Sequence, residues 1–285
     1  MSKLLQILLL AGFLKNAWFC EGKPSILQTF DDAMMRSTFK IQGGNTLGTA
    51  FVMIQPIETN FGTYVLVTAA HVLQETPSSN AVLVLRVKNG NTFRKMNWEI
   101  PIRRYGTNLW TQHPTADVAA MRIPLPVNAD VAGISTALLA TDEFLTNMLI
   151  HPGDELRVLG YPYGFESNEA GFPILRSGRI ASYPLTPASQ VKTFLLDFHI
   201  FKGNSGGPVY ILEQKQMEEG SVNTVSISAV MGLISEQAEL NEKITSLEET
   251  TVKTHDLGLG IVINSELIKE TIDLLPPFNI QSRAR

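Results

Sequence analysis

Between about residue 36 and residue 235 the apolar positions fall in short runs rich in Val, Ile, Leu and Phe, separated by clusters of Gly, Pro and Asn. Gly48–Ile54, Tyr64–Thr68, Ala81–Leu85, Asp154–Gly160 and Val225–Ile234 are runs of this kind. Segments of that length, bounded by turn formers, predict β-strands, and their repetition predicts an all-β barrel or sandwich. The pattern changes near the end. Leu267, Ile268, Ile272 and Leu275 share one helical face, Ser265 stands where a cap is needed, and Pro276-Pro277 stops the run. A C-terminal helix packed on a β body is the expectation. Two polar stretches, Glu213–Asn223 and Glu236–Asp256, read as long surface loops; the second has six acidic side chains against two lysines.

The N-terminus has its own pattern. Lys3 precedes the apolar run Leu4–Leu14, eleven residues broken only by Gln6. That is short for a bilayer span and suits the apolar part of a secretory signal, with cleavage near Gly22. The expected organisation is a signal peptide at 1–22, an N-terminal segment at 23–35, one large domain at 36–275 and a tail at 276–285. The product would be secreted or periplasmic, with no stable membrane insertion once the signal is removed. Cys20 is the only cysteine, so a cut after it leaves no disulfide, and the fold must rest on its core. At 44% hydrophobic and 18% charged, the chain can bury one. A net charge of -4 offers no basic field for nucleic acid.

Three segments carry candidate chemistry. Gly203-Asn204-Ser205-Gly206-Gly207-Pro208 sets one serine among three glycines. Acyl transfer needs a hydroxyl on a tight turn, with backbone N–H groups aimed at the developing oxyanion. Here those would be the N–H groups of Gly203 and Ser205; a plain glycine-rich hairpin is the structural alternative. A serine also needs an adjacent general base. Val65-Leu66-Val67-Thr68-Ala69-Ala70-His71 puts a histidine just after a β run, where a structural histidine is equally at home. Asp117, followed by Val118-Ala119-Ala120, is an acid set against an apolar strand start, and burial there is costly without a partner. It suits the residue that orients the histidine, or a turn-capping aspartate. Gly-x-Ser-x-Gly also occurs in the nucleophile elbow of α/β-hydrolases, but that fold needs a helix after the serine and Asp then His downstream. Here turn and strand follow, and His255 precedes Asp256.

Taken together, Thr68-Ala69-Ala70-His71, Asp117-Val118-Ala119 and Gly203–Pro208 resemble the three signature segments of trypsin-like serine peptidases. They stand in that family's order His, Asp, Ser, with gaps of 46 and 88 residues. Asp197, eight residues before Ser205, and the ending Gly258–Ser265 running into a helix resemble bacterial HtrA-type members, without their PDZ module. Asn204 stands where digestive members have an aspartate that pairs with a new N-terminus on activation, so that device is not expected here.

The resemblance implies two six-stranded antiparallel β-barrels (chymotrypsin/trypsin-like) with the active site between them, a triad of His71, Asp117 and Ser205, and polypeptide substrates. No metal or organic cofactor is implied. Family alignment puts His199, Ile200, Ile234, Ser235, Gln237 and Gly260 around the specificity pocket, with Ser235 beside the triad. No acid stands at the pocket base, which argues against Lys or Arg selection. Ile200 and Ile234 favour an aliphatic side chain, while His199 offers a polar alternative. A latent binding protein or chaperone on the same fold is the reading of another class.

Overall fold

The computed structural model describes residues 30–58, 61–216, 224–245 and 250–278. The expected signal at 1–22 and most of the tail lie outside these residues. The chain opens with helix α1 (Phe30–Ser37), which spans the expected domain start at residue 36 and buries Met34.

The first unit is an eight-stranded sheet. It comprises β1 (Thr38–Gly43), β2 (Thr46–Glu58), β3 (Phe61–Thr68), β4 (Asn80–Asn89), β5 (Thr92–Pro101), β8 (Thr111–Gln112), β9 (Ala119–Arg122) and β10 (Ile134–Ser135). The spatial order is β5-β4-β1-β2-β3-β9-β8, with β10 alongside β2. A short helix α2 (Ala70–Gln74) follows β3, and β6 (Arg103–Arg104) and β7 (Thr107–Asn108) form a small separate hairpin. The second unit is a closed six-stranded barrel. Its strands are β11 (Glu155–Gly160), β12 (Ile174–Ile180), β13 (Thr193–Asp197), β14 (Pro208–Gln216), β15 (Thr224–Thr245) and β16 (Thr250–Asn264). Helix α3 (Asp142–Asn147) leads into it and α4 (Ser265–Asp273) leaves it. The architecture is the all-β, two-unit trypsin-like fold; only the second unit closes its hydrogen-bonded ladder among the described residues.

The five internal runs expected to be strands fall on β2, β3, β4, β11 and β15. Phe39, Phe51, Leu66, Leu83 and Leu85 fill the first core, and Leu156, Val158, Leu196, Val209, Ile211 and Val262 the second. Helix α4 packs Leu267, Ile268 and Ile272 onto the first core. Its cap is Asn264, whose side chain accepts from the Glu266 N–H at 3.0 Å, rather than Ser265. Ser265 instead donates to the Ala140 carbonyl.

The two expected loops are a correction. Glu213–Gln216 continues β14, and β15 runs on through Thr245, pairing with β16 from Gly232↔Asn264 to Thr245↔Thr250 with register shifts between Ile234 and Glu236 and between Gln237 and Glu239; residues 217–223 and 246–249 lie outside the described residues. The Glu-rich composition concealed this because the ribbon extends past both neighbouring strands and its polar sequence lacks the apolar alternation that marks a strand.

The units are joined by an unusual clamp. Arg86 on β4 is fully buried and donates to the carbonyls of Met35, Arg36, Thr38 and Gly171 at 3.0–3.2 Å. Its guanidinium lies 4.4 Å from the ring centroids of both Phe39 and Phe172. Burial pushes its pKa below the usual arginine range. Tyr161, also fully buried, donates to the Gly171 carbonyl at 3.0 Å; burial pushes its phenol up to about 12. Replacing Arg86 by Met is expected to cost about 3–5 kcal/mol, since four carbonyls lose the bond from Arg86 and the one hydroxyl beside them, that of Tyr161, can serve only one of them. Urea unfolding followed by tryptophan fluorescence measures this; a change below about 1 kcal/mol would show that the clamp is dispensable.

Candidate active site

The register of β3 against β9 sets the first two site residues. Thr68 pairs with Ala119, so the chain leaves β3 and enters β9 at the same end of the sheet. His71 sits three residues beyond Thr68 and Asp117 two before Ala119. The His71 Nδ1 lies 2.6 Å from Asp117 Oδ2, and the His71 N–H donates to Oδ1 at 2.9 Å. A carboxylate only accepts, so Nδ1 carries the proton and Nε2 presents its lone pair. Ser235 Oγ also donates to Asp117 Oδ2, at 2.8 Å.

These contacts set the electrostatics. The Asp117 hydrogen bond is the main reason His71 is held above its ordinary 6.5; burial opposes it, and the charges of Asp117, Glu75 and Glu236 add to the rise. Burial pushes the Asp117 carboxyl up. The His71 hydrogen bonds and charge, with Ser235, more than offset it and leave the carboxyl below its ordinary value.

Ser205 lies on the turn between β13 and β14, and the turn is built by close approaches. Gly203 (φ 98°) and Gly206 (φ 83°) are left-handed, and a Cβ on either would meet backbone oxygens at 2.3 Å (Tyr161) and 2.2 Å (Thr49). Only glycine fits at both. Thr49 on β2 ties the turn to the first unit: its N–H donates to the Ser205 carbonyl at 2.8 Å, its hydroxyl to the Gly203 carbonyl at 2.6 Å.

The peptide planes of the turn are pinned as well. The Lys202 carbonyl accepts from the Tyr163 N–H at 2.6 Å, and the Asn204 carbonyl from the Gly207 N–H at 2.9 Å. In a trans peptide the N–H points opposite to the carbonyl. The N–H groups of Gly203 and Ser205 are therefore turned away from those bonds, and neither has an acceptor among the described residues. Gly203, Ser205 and His71 line one cleft of about 290 Å³, with Leu47, Val72, Glu75 and Lys202. No hydrogen bond joins Ser205 Oγ to His71 among the described residues; in substrate-free sites such bonds are commonly long and tighten on binding.

None of the other expected pocket residues lines this cleft. Ile234 is fully buried in the barrel core, and Ser235 is nearly so. Ile200 is also buried, with its Cδ1 2.6 Å from where a Cβ on Gly260 would sit, so it fills the space that glycine leaves. His199 is 61% exposed, with Nδ1 3.5 Å from Asp256 Oδ2 at the base of the ribbon. Gln237 pairs with Gly260 through the backbone; its side chain lies outside the described residues. Sequence reasoning missed Thr49, Tyr161 and Tyr163, whose backbone and hydroxyl contacts hold the turn. A threonine inside the apolar run 48–54 was the only local sign of the first. Among the described residues no cluster of His, Cys, Asp or Glu could hold a metal, and no helix is long and apolar enough to cross a membrane.

No curated protein sequence matches the chain. Among solved structures it is similar to an inactive serine-to-alanine mutant of Rv3671c from M. tuberculosis H37Rv. The identity is 17%, over 92% of this chain and 100% of that one, at a TM-score of 0.44. The sequence profile of the trypsin-like peptidase domain matches residues 48–217, more than half of the chain and with His71, Asp117 and Ser205 inside it. The chain therefore belongs to the trypsin-like peptidase family.

Proposed function

We propose that the chain is a serine endopeptidase that cleaves peptide bonds through an acyl-enzyme, with His71, Asp117 and Ser205 as its triad. The observation that carries this reading is the His71–Asp117 hydrogen bond behind an imidazole that shares its cleft with Ser205. His71 Nε2 takes the proton from Ser205 Oγ as the oxygen attacks the substrate carbonyl, then delivers it to the leaving amine; water reverses the sequence to release the acid. The unpaired N–H groups of Gly203 and Ser205 stabilise the oxyanion. Ile200 against Gly260 supports a shallow pocket for small or medium aliphatic side chains, and His199, turned to the ribbon base, does not favour the polar alternative. The Leu4–Leu14 run supports action in a secreted or periplasmic setting.

A fluorescent fluorophosphonate tests the reading. Labelling of wild type that vanishes in Ser205→Ala establishes an activated serine. No labelling of folded wild type would favour the latent binding protein instead.

The raised His71 pKa gives a second test. Catalysis needs the neutral imidazole, so the acid limb of kcat/KM is expected above pH 6.5. Removing a negative charge near His71 favours its neutral form. Glu75→Gln and Glu236→Gln are therefore each expected to move the limb to lower pH, and an unmoved limb would show that neither charge reaches the site. Stability follows the same shifts. The His71 contribution is complete below pH 6.5 and is lost as pH rises through its folded pKa. That of Asp117 is present above 3.8 and is lost as pH falls through its own.

A further inference from the structure

We infer that strand β5 is a self-association edge, along which two copies of the chain pair antiparallel about a two-fold axis at Asn97. β5 ends the first sheet. All ten of its residues, Thr92–Pro101, pair with β4, and its other edge has no backbone partner among the described residues. Unpaired strand edge of that length is a template for another chain. No residue of β5 lines the cleft that holds His71 and Ser205, so pairing does not occupy it. This association does not depend on the peptidase reading.

The edge has a defined phase. Gly90-Asn91 is a two-residue turn, so the closing pair Asn89↔Thr92 exchanges hydrogen bonds, and every second pair along the hairpin does the same. Phe93, Lys95, Asn97 and Glu99 belong to the intervening pairs, and their N–H and C=O groups face outward. A separate bond agrees with this phase: the Arg86 carbonyl, opposite Lys95, accepts from the Asp130 N–H at 2.7 Å rather than from β5.

Charge then selects the register. Identical antiparallel strands meet their donors and acceptors only when the two-fold axis passes an outward-facing residue. Centred on Lys95 the pairing sets ammonium against ammonium, and centred on Glu99 carboxylate against carboxylate, both unfavourable. Centred on Asn97 it sets Lys95 opposite Glu99 of the partner subunit, and Glu99 opposite the partner's Lys95. On the other face Met96 and Trp98, both partly buried against the core, come opposite each other across the two strands. Pro101 has no N–H and ends the ladder. Both charged side chains can turn to this role. Lys95 is 43% exposed and shares Glu166 with Lys40, and Glu99 accepts only from Asn80, at 3.4 Å, among the described residues.

The test is sedimentation equilibrium of the full chain and three variants. Wild type is expected at twice the mass of one chain at about 100 μM, since a strand-edge interface lies at the small end of the range for specific complexes. Lys95→Glu and Glu99→Lys each set like charges in opposition, and Asn97→Pro removes an outward N–H that β4 does not use. Each is expected to weaken self-association at least about tenfold. An equimolar mixture of the Lys95→Glu and Glu99→Lys proteins restores both opposite-charge pairs and should associate within about threefold of wild type. A wild type that is monomeric at that concentration, a dimer indifferent to Asn97→Pro, or a mixture that stays monomeric would overturn the inference. Amide hydrogen exchange on the wild type decides it even where a variant fails to fold. The Lys95, Asn97 and Glu99 amides should slow as the protein is concentrated, while those of Met96 and Trp98, bonded to β4, stay slow throughout. Outward amides that exchange alike at every concentration would overturn it: slow exchange would place a segment of the same chain on the edge, and fast exchange would leave the edge bare.

Discussion

Ser205→Ala is expected to lower kcat for a cleavable peptide by roughly a million-fold, the scale seen when a triad nucleophile is removed. In the proposed acyl-enzyme mechanism the hydroxyl oxygen is the atom that becomes covalent, and no other side chain on the turn offers one. Residual hydrolysis should still exceed the uncatalysed rate by about 10³–10⁴-fold, because the Gly203 and Ser205 N–H groups survive the substitution. Ser205 Oγ makes no hydrogen bond within the described protein, while the residue's backbone carbonyl is held by Thr49. Its loss orphans no partner, and stability should move by less than about 0.5 kcal/mol. Steady-state kinetics beside a thermal melt measures both quantities. A variant that keeps even a hundredth of wild-type turnover would show that Ser205 is not the nucleophile.

The second large effect is expected from Asp117→Asn, at about ten-thousand-fold in kcat near neutral pH. Three donors converge on the carboxylate: His71 N–H on Oδ1, and His71 Nδ1–H and Ser235 Oγ–H on Oδ2. An asparagine has one oxygen to offer. With its amide NH₂ toward Nδ1, the imidazole must carry its proton on Nε2 and can no longer accept from Ser205. With its oxygen toward Nδ1, the NH₂ confronts the His71 backbone donor. The first arrangement relieves the clash and yields the wrong tautomer. The charge that raises the His71 pKa disappears as well, so the acid limb should fall. A tenfold loss or less would mean that Asp117 is structural and that some other group orients His71.

Much of this candidate site was legible because each of its segments is short and locally constrained. Glycines are required at 203, 206 and 207 because a Cβ there would meet backbone oxygens at 2.2–2.3 Å, and such a requirement leaves a mark on the sequence around Ser205. A histidine just past a β run and an acid just before one are brought together by a single strand pairing, Thr68 with Ala119. The ribbon was not legible. The sequence of residues 236–256 is polar and lacks the apolar alternation that marks a strand, so its composition resembles a loop. Arg86 was equally hidden, because a buried arginine that donates to four main-chain carbonyls has no acidic partner residue to betray it.

The amino-acid sequence alone determined the strand-rich architecture and the C-terminal helix, and it singled out His71, Asp117 and Ser205 as the candidates for the chemistry. Those features depend on local conformational limits and on the burial of short apolar runs. Tertiary structure decided what lies between them: which peptide planes of the nucleophile turn are pinned, how Ile200 fills the space beside Gly260, and that β15 outruns its neighbour beside Ser205. These follow from contacts between strands far apart in the chain, where backbone groups, common to every residue, supply the bonds and no side chain announces them.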